Sequence, residues 1–277
     1  MKIDGWKYYN HAAIPAVAPH ENVDTSPVKS GSIWSLDGEP IIARWTSDFD
    51  CGYETNWWYV IKDDPLDIAV LKAKRRYEIN KGKKNFDFRK INPCDYAEEI
   101  YDVLVAAFSA YPEKSRRTFD RERFISGVRG WTVDVFGTFS RESGELAGYA
   151  LLMSVSDGFI DFFEMKTKPE YEKYSVNAAM VAGILEYHEK ELSEGAVISD
   201  GARSISHETA FQDYLEKYFG FRKAYCRLHL EYNPKYKPLI KILYPFRKLL
   251  SVLDFIDLFH KLNGVMKMEE IVRTDSK

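Results

Sequence analysis

The segment LAGYALLMSVSDGFIDFFEMKTKPEYEKYSVNAAMVAGILEY, residues 146–187, decides the architecture. Residues 146–155 and 159–166 are apolar runs, and Asp157-Gly158 between them is a tight-turn dipeptide, so together they predict a hairpin. Lys168-Pro169-Glu170-Tyr171 then ends the second strand. Val176, Ala179, Met180, Gly183, Ile184 and Tyr187 recur at helical spacing and predict a long helix with that face inward. A hairpin followed by an apolar helix requires a sheet with a helical layer on it.

Working outward, Trp131, Val133, Val135 and Phe139 alternate with Thr132, Asp134 and Thr138, and Ser143-Gly144 joins them to the hairpin as a three-strand meander. Upstream, residues 86–91 predict a strand. Pro93 opens a helix carrying Tyr96, Ile100, Val103, Leu104, Ala107 and Phe108 on one face, and a second helix covers 120–128. Downstream come a strand over 196–199, a helix with Phe211, Tyr214, Leu215 and Tyr218 inward, and a strand over 221–231. The order across residues 85–231 is β α α β β β α β α β.

Before this block, turn signals at Pro15, Pro19, Pro27, Gly31, Asp37-Gly38 and Gly52 predict a small β-rich lobe. A helix is expected from Pro65 to Gly82, with Leu66, Ala69, Val70, Ala73 and Tyr77 on its face. After it, residues 235–271 read as an amphipathic helical tail. The expected division is a lobe over 1–84, a central domain over 85–233 and a helical extension over 234–277.

The chain has 277 residues, 45% of them hydrophobic, which is enough to bury a substantial core and excludes disorder. Its 39 Lys and Arg against 42 Asp and Glu give a net charge of −3, so any anion site is local. Cys51, Cys94 and Cys226 form no C-x-x-C pair, and the six His show no metal-ligand spacing, so no metal is expected. No P-loop, dinucleotide-binding or G-x-S-x-G motif occurs. With no signal-peptide pattern and no apolar run of about 18 residues, a cytoplasmic location is expected.

The element order, together with Lys168-Pro169-Glu170-Tyr171 and Tyr218-Phe219-Gly220-Phe221, resembles the GNAT superfamily of N-acyltransferases over about 150 residues. The resemblance implies an α/β fold with a GNAT-like mixed sheet flanked by helices, a smaller N-terminal lobe and the amphipathic tail. GNAT members follow the Pro-Glu-Tyr with glycines, so that backbone N–H groups at a helix N-terminus can approach the pyrophosphate of acyl-CoA. Here Ser175 and Asn177 stand in the glycine positions and Glu172 adds a carboxylate, which argues against ordinary CoA binding. Lys173 supplies one positive charge and Ser175 can cap the helix.

The missing glycines are also similar to the peptidoglycan-bridge aminoacyltransferases of the FemAB type, which take their acyl group from charged tRNA. They often carry a basic helix like residues 71–82 before the second unit. The stretch Asp200-Gly201-Ala202-Arg203-Ser204 also looks like their C-terminal unit. That resemblance implies an anionic donor, acyl-CoA or aminoacyl-tRNA, and a small amine acceptor such as a cell-envelope or polysaccharide precursor.

Acyl transfer to an amine needs a base and oxyanion donors. Glu164 and Asp161 interrupt the apolar fourth strand of the block. Strict alternation puts Glu164 with Ile160 and Phe162, and Asp161 on the other face with Phe159, Phe163 and Met165. Glu164 matches the position from which some GNAT members draw their base, and Tyr214 lies near their tyrosine acid. Arg203, with Ser204, follows a strand end and can clamp a carboxylate or phosphate. Residues 72–90 carry nine cations, among them Lys74, Arg75 and Arg76, dense enough to meet tRNA phosphates. Cationic and apolar residues over 235–262 suggest peripheral contact with the inner face of a membrane, docking on the domain, or pairing with a second copy. The alternative to an enzyme is a catalytically inactive GNAT-like module that binds a ligand or protein.

Overall fold

The computed structural model describes residues 1–111, 113, 116–205, 210–253 and 257–275. The chain forms two compact units interleaved along the sequence. One comprises Met1–Val60, Ala202–Ala210 and Lys223–Lys277; the other comprises Ile61–Gly201 and Phe211–Arg222.

In the first unit, β1 (Trp6–Tyr9) and β2 (Ala12–Pro15) form an antiparallel pair, and α1 (Ser26–Ser30) follows. β2 runs parallel to β3 (Ile42–Ser47), and β3 pairs antiparallel with β10 (Arg222–Tyr232), beside which lies β4 (Trp57–Lys62). Successive residues of β3 serve opposite faces, as the pleat requires. Ala43 packs with Trp6, Ala13, Ile33 and Leu36, whereas Ile42 packs with Trp57, Cys226 and Leu228.

The tail divides into α8 (Lys237–Leu243), α9 (Arg247–Leu250) and α10 (Asp257–Asp275). Pro238 in the first turn of α8 and Pro245 after it break what the sequence presents as one apolar stretch. Met266, Met268 and Ile271 of α10 join the Ile42 core, and Tyr232 Oη donates to Glu269 Oε2 at 2.6 Å. Ile240 of α8 is buried in the same core, with Leu243 and Tyr244 partly buried against it, so α8 docks by one side and α10 by its length. Leu239, Ile242, Phe246, Leu249 and Val252 are all exposed.

In the second unit, β5 (Phe86–Ile91), β6 (Asp134–Ser140), β7 (Leu146–Ser156) and β8 (Phe159–Thr167) run antiparallel in that order, and β9 (Val197–Ala202) joins β8 in parallel. The helices are α2 (Ala73–Asn85), α3 (Ala97–Ser109), α4 (Arg121–Arg129), α5 (Val176–Tyr187), α6 (Glu189–Ser193) and α7 (Ala210–Phe219). The element order expected for residues 85–231 is present. Asp120 caps α4 by accepting from Arg123 N at 2.7 Å.

Ile100, Val103 and Leu104 of α3 and Ile125 and Val128 of α4 bury against Val135 and Leu151, each contributing about 1.5–3 kcal/mol of apolar burial. α5 is buried nearly all round from Val176 to Leu185, not on one face, while Tyr187 is exposed.

Two expectations for residues 65–82 are corrected. A short 3₁₀ turn over Ile68–Val70 precedes the helix, which starts only at Ala73. Its buried face holds Arg75, Ile79 and Gly82, while Tyr77 is exposed. Apolar periodicity misses this face because a cation occupies it.

Candidate functional site

Glu164 owes its position to a β-bulge. Leu152 pairs with Phe162 and Leu151 with Glu164, so Phe163 is an extra residue in β8. Alternation restarts one residue late, and this corrects the expected facing. Asp161 opposes Met153 and Glu164 opposes Leu151, two residues on the same side of β7, so both carboxylates share one face. It is the α3 and α4 face, because Leu151 packs in their core. Phe162 points the other way and meets Phe211 of α7 edge-on.

Glu164 is half-buried at the wall of a cavity of about 440 Å³. Phe108, Phe119, Phe124, Trp131 and Phe163 line it, and Arg117 brings a guanidinium. Tyr149, fully buried beneath, donates its hydroxyl to Glu164 Oε1 at 2.6 Å. Burial, reinforced by the neighbouring carboxylate, pushes the Tyr149 phenol far above its ordinary value, so it remains a donor. The bond fixes the carboxylate and leaves Oε2 without a partner among the described residues. The arrangement presents one oriented carboxylate oxygen to an apolar, ring-lined space.

The sequence offers little warning of this setting. Tyr149 is one aromatic in a run of small residues, and only the bulge brings it under Glu164. Arg117 lies between α3 and α4, in a basic stretch whose Arg116 and Arg117 were the available signal.

Beyond the bulge the sheet opens. β8 and β9 pair only from Phe159↔Val197 to Asp161↔Ser199, although β8 continues to Thr167. Asp161 sits at the end of that ladder. Next to it, burial raises the Asp200 carboxyl to about 7, opposed by a hydrogen bond from Gln212 and assisted by the charge of Asp161.

The remaining expected residues fall into separate places. Tyr214 accepts from Arg75 Nη1 at 3.4 Å, and burial pushes its phenol up to about 12. The Arg75 guanidinium lies 3.7 Å from the Tyr218 ring centroid and 2.6 Å from Glu78. Arg75 is thus a buried packing residue, 7% exposed, and not a surface phosphate contact. Arg76 donates to the Ala69 and Leu71 carbonyls at 3.1 and 2.9 Å, and Lys74 is exposed.

At the start of α5, Ser175 has φ 68° and makes no side-chain cap, contrary to expectation. Lys173 is exposed, its ammonium 5.0 Å from the Tyr174 ring. Asn177 Oδ1 accepts from Thr167 Oγ1 at 2.8 Å. α2 covers this end: a Cβ on Gly82 would lie 2.7 Å from the Ser175 carbonyl oxygen and 2.9 Å from Ala179 Cβ.

Arg203 belongs to the first unit. Its Nη1 donates to the Asn56 carbonyl at 2.6 Å and its guanidinium lies 4.3 Å from the Trp58 ring, with Ser204 half-buried in the same loop. Among the described residues no group of three His, Cys, Asp or Glu could hold a metal ion.

No protein-family model matches the chain, and no curated protein matches it. Solved structures do. L-PGS from Bacillus licheniformis aligns with TM-score 0.53 at 14% identity, covering 86% of this chain and 83% of that one. FemX aligns with TM-score 0.52 at 9% identity, covering 86% and 85%. A tandem GNAT protein from the clavulanic acid biosynthesis pathway aligns with TM-score 0.44 at 11% identity, covering 80% and 75%. The α/β fold of this chain, with its bulged antiparallel meander opening beside a parallel strand, is like that of L-PGS and FemX, in the GNAT-like arrangement expected from its element order.

Proposed function

We propose that the protein is an acyltransferase that moves an acyl or aminoacyl group onto an amine, with Glu164 as the general base. The observation that carries this reading is the unoccupied Oε2 of Glu164, held by Tyr149 at the wall of the aromatic cavity. An amine enters water as an ammonium and must lose a proton before its nitrogen can attack. Glu164 Oε2 takes that proton. The nitrogen then attacks the donor carbonyl, the C–N bond forms as the bond to the leaving group breaks, and the leaving atom departs with the proton that the nitrogen gives up on becoming an amide. The aromatic wall suits an acceptor with an apolar or ring-shaped body, and Arg117 suits one bearing an anionic group.

The donor we favour is an aminoacyl-tRNA over an acyl-CoA. The packing of Gly82 against Ser175 leaves little room for a pyrophosphate at the start of α5. The exposed Lys72, Lys74 and Lys84 on α2 and its flank offer phosphate contacts nearby in sequence. The acceptor class we assign is a cell-envelope or polysaccharide precursor, and the exposed apolar and cationic residues at 236–252 favour work at a membrane surface. No described helix is long and apolar enough to cross a membrane.

Equilibrium binding separates the donors. Charged tRNA is expected to bind with affinity that falls as salt rises, and to weaken about tenfold or more in a Lys72→Glu, Lys74→Glu, Lys84→Glu variant. Saturable acetyl-CoA binding with no tRNA binding would overturn the donor assignment. Binding of neither would favour the catalytically inactive module, for which the covered start of α5 is the supporting observation.

A further inference from the structure

The first unit contains a second cavity, of about 110 Å³, between the sheet face of β3, β10 and β4 and residues 15–23. Two buried polar atoms with no hydrogen-bond partner among the described residues, and one half-buried guanidinium without an anion, reach it. Arg44, from β3, makes one side-chain hydrogen bond, from Nη1 to the Met268 thioether at 3.8 Å, and meets no carboxylate among the described residues. A thioether is a weak acceptor for a guanidinium. The Trp57 indole Nε1, on a side chain 2% exposed, is buried with no acceptor. Glu21 Oε1 is buried with no donor. All three residues line the same cavity, yet Arg44 and Glu21 are not paired with each other.

Leaving a buried donor or acceptor unmade is costly, and an unpaired buried charge more so. A ligand that relieves all three must accept from a guanidinium and an indole N–H and also donate to a carboxylate. Burial holds the Arg44 guanidinium below its ordinary value, in keeping with a cation that lacks an anion. The rest of the wall is apolar, with Ile14 and Leu228 prominent. The Tyr59 hydroxyl is engaged by Thr46 and lies beside the Trp57 side chain, but not in an alignment that satisfies the indole Nε1.

We propose that this cavity binds a small zwitterion, an α-amino acid with a short aliphatic side chain, its carboxylate on Arg44 and Trp57 and its ammonium on Glu21. The volume admits a small amino acid and excludes a nucleotide or a peptide. Every residue involved lies in the first unit, so the assignment is independent of whether the second unit transfers acyl groups.

Titration calorimetry with glycine, alanine, valine, leucine and lysine, alongside acetate and ethylamine as single-charge fragments, tests it on the whole chain. At least one of the short amino acids is expected to bind saturably and raise the melting temperature, with each fragment weaker by about tenfold or more. Glu21→Gln, nearly isosteric and on a loop, is expected to reduce amino-acid affinity about tenfold or more while leaving acetate unaffected; Arg44→Met is expected to abolish both. Circular dichroism checks that each variant folds, and the Glu21→Gln and fragment comparisons decide the matter if Arg44→Met does not. Acetate binding as tightly as alanine, amino-acid affinity unchanged in Glu21→Gln, or no binding by any amino acid would each overturn the proposal.

Discussion

Asp200 is a half-buried carboxyl at the point where β8 and β9 part, with its folded-state value raised to about 7 by burial and by Asp161. A raised carboxyl favours folding most below its unfolded value near 4. That contribution fades as pH climbs towards 7, and above 7 the folded state carries a constant penalty on the order of 2–4 kcal/mol. Asp200→Asn removes the penalty. By calorimetry the variant is expected to melt above the parent at about pH 8.5, with the difference shrinking at about pH 4.5. A difference independent of pH would show that Asp200 is ionised at no cost. Glu164 and Asp161 were both legible in the sequence as polar breaks in an apolar run. Their facing was not, because a bulge inserts one residue without changing composition.

At the scale of elements, amphipathic periodicity located α3, α4 and α7 and the strands of the meander, because each buries one apolar face. It failed for α2, whose inner face is completed by Arg75 with its guanidinium over the Tyr218 ring. It also presented the tail as one stretch, where α10 and one side of α8 dock while α9 buries no residue. Residues 233–253 contain five Lys and Arg and no Asp or Glu, and Leu239, Ile242, Phe246, Leu249 and Val252 stand exposed among them. That chemistry complements an anionic lipid surface. Cosedimentation is expected to show binding to vesicles containing phosphatidylglycerol, little to pure phosphatidylcholine, and loss of binding in Phe246→Glu, Leu249→Glu. Equal binding to both vesicles, none to either, or self-association abolished by those substitutions would contradict a lipid contact.

For the whole molecule, the interleaving of the two units was beyond sequence reading. β10 takes β3 as its partner across some 180 residues, and an apolar run carries no record of which distant strand completes its ladder. The GNAT-like order was legible because it depends on consecutive elements. The central claim is that Glu164 removes a proton from an amine that then takes an acyl group, and single-turnover transfer from charged tRNA to a panel of amino sugars and other amines tests it most directly. The parent is expected to transfer label to at least one amine, and Glu164→Gln to bind the same donor but transfer about a hundredfold more slowly. Transfer at the parental rate by Glu164→Gln, or none by the parent from any charged tRNA, would contradict it.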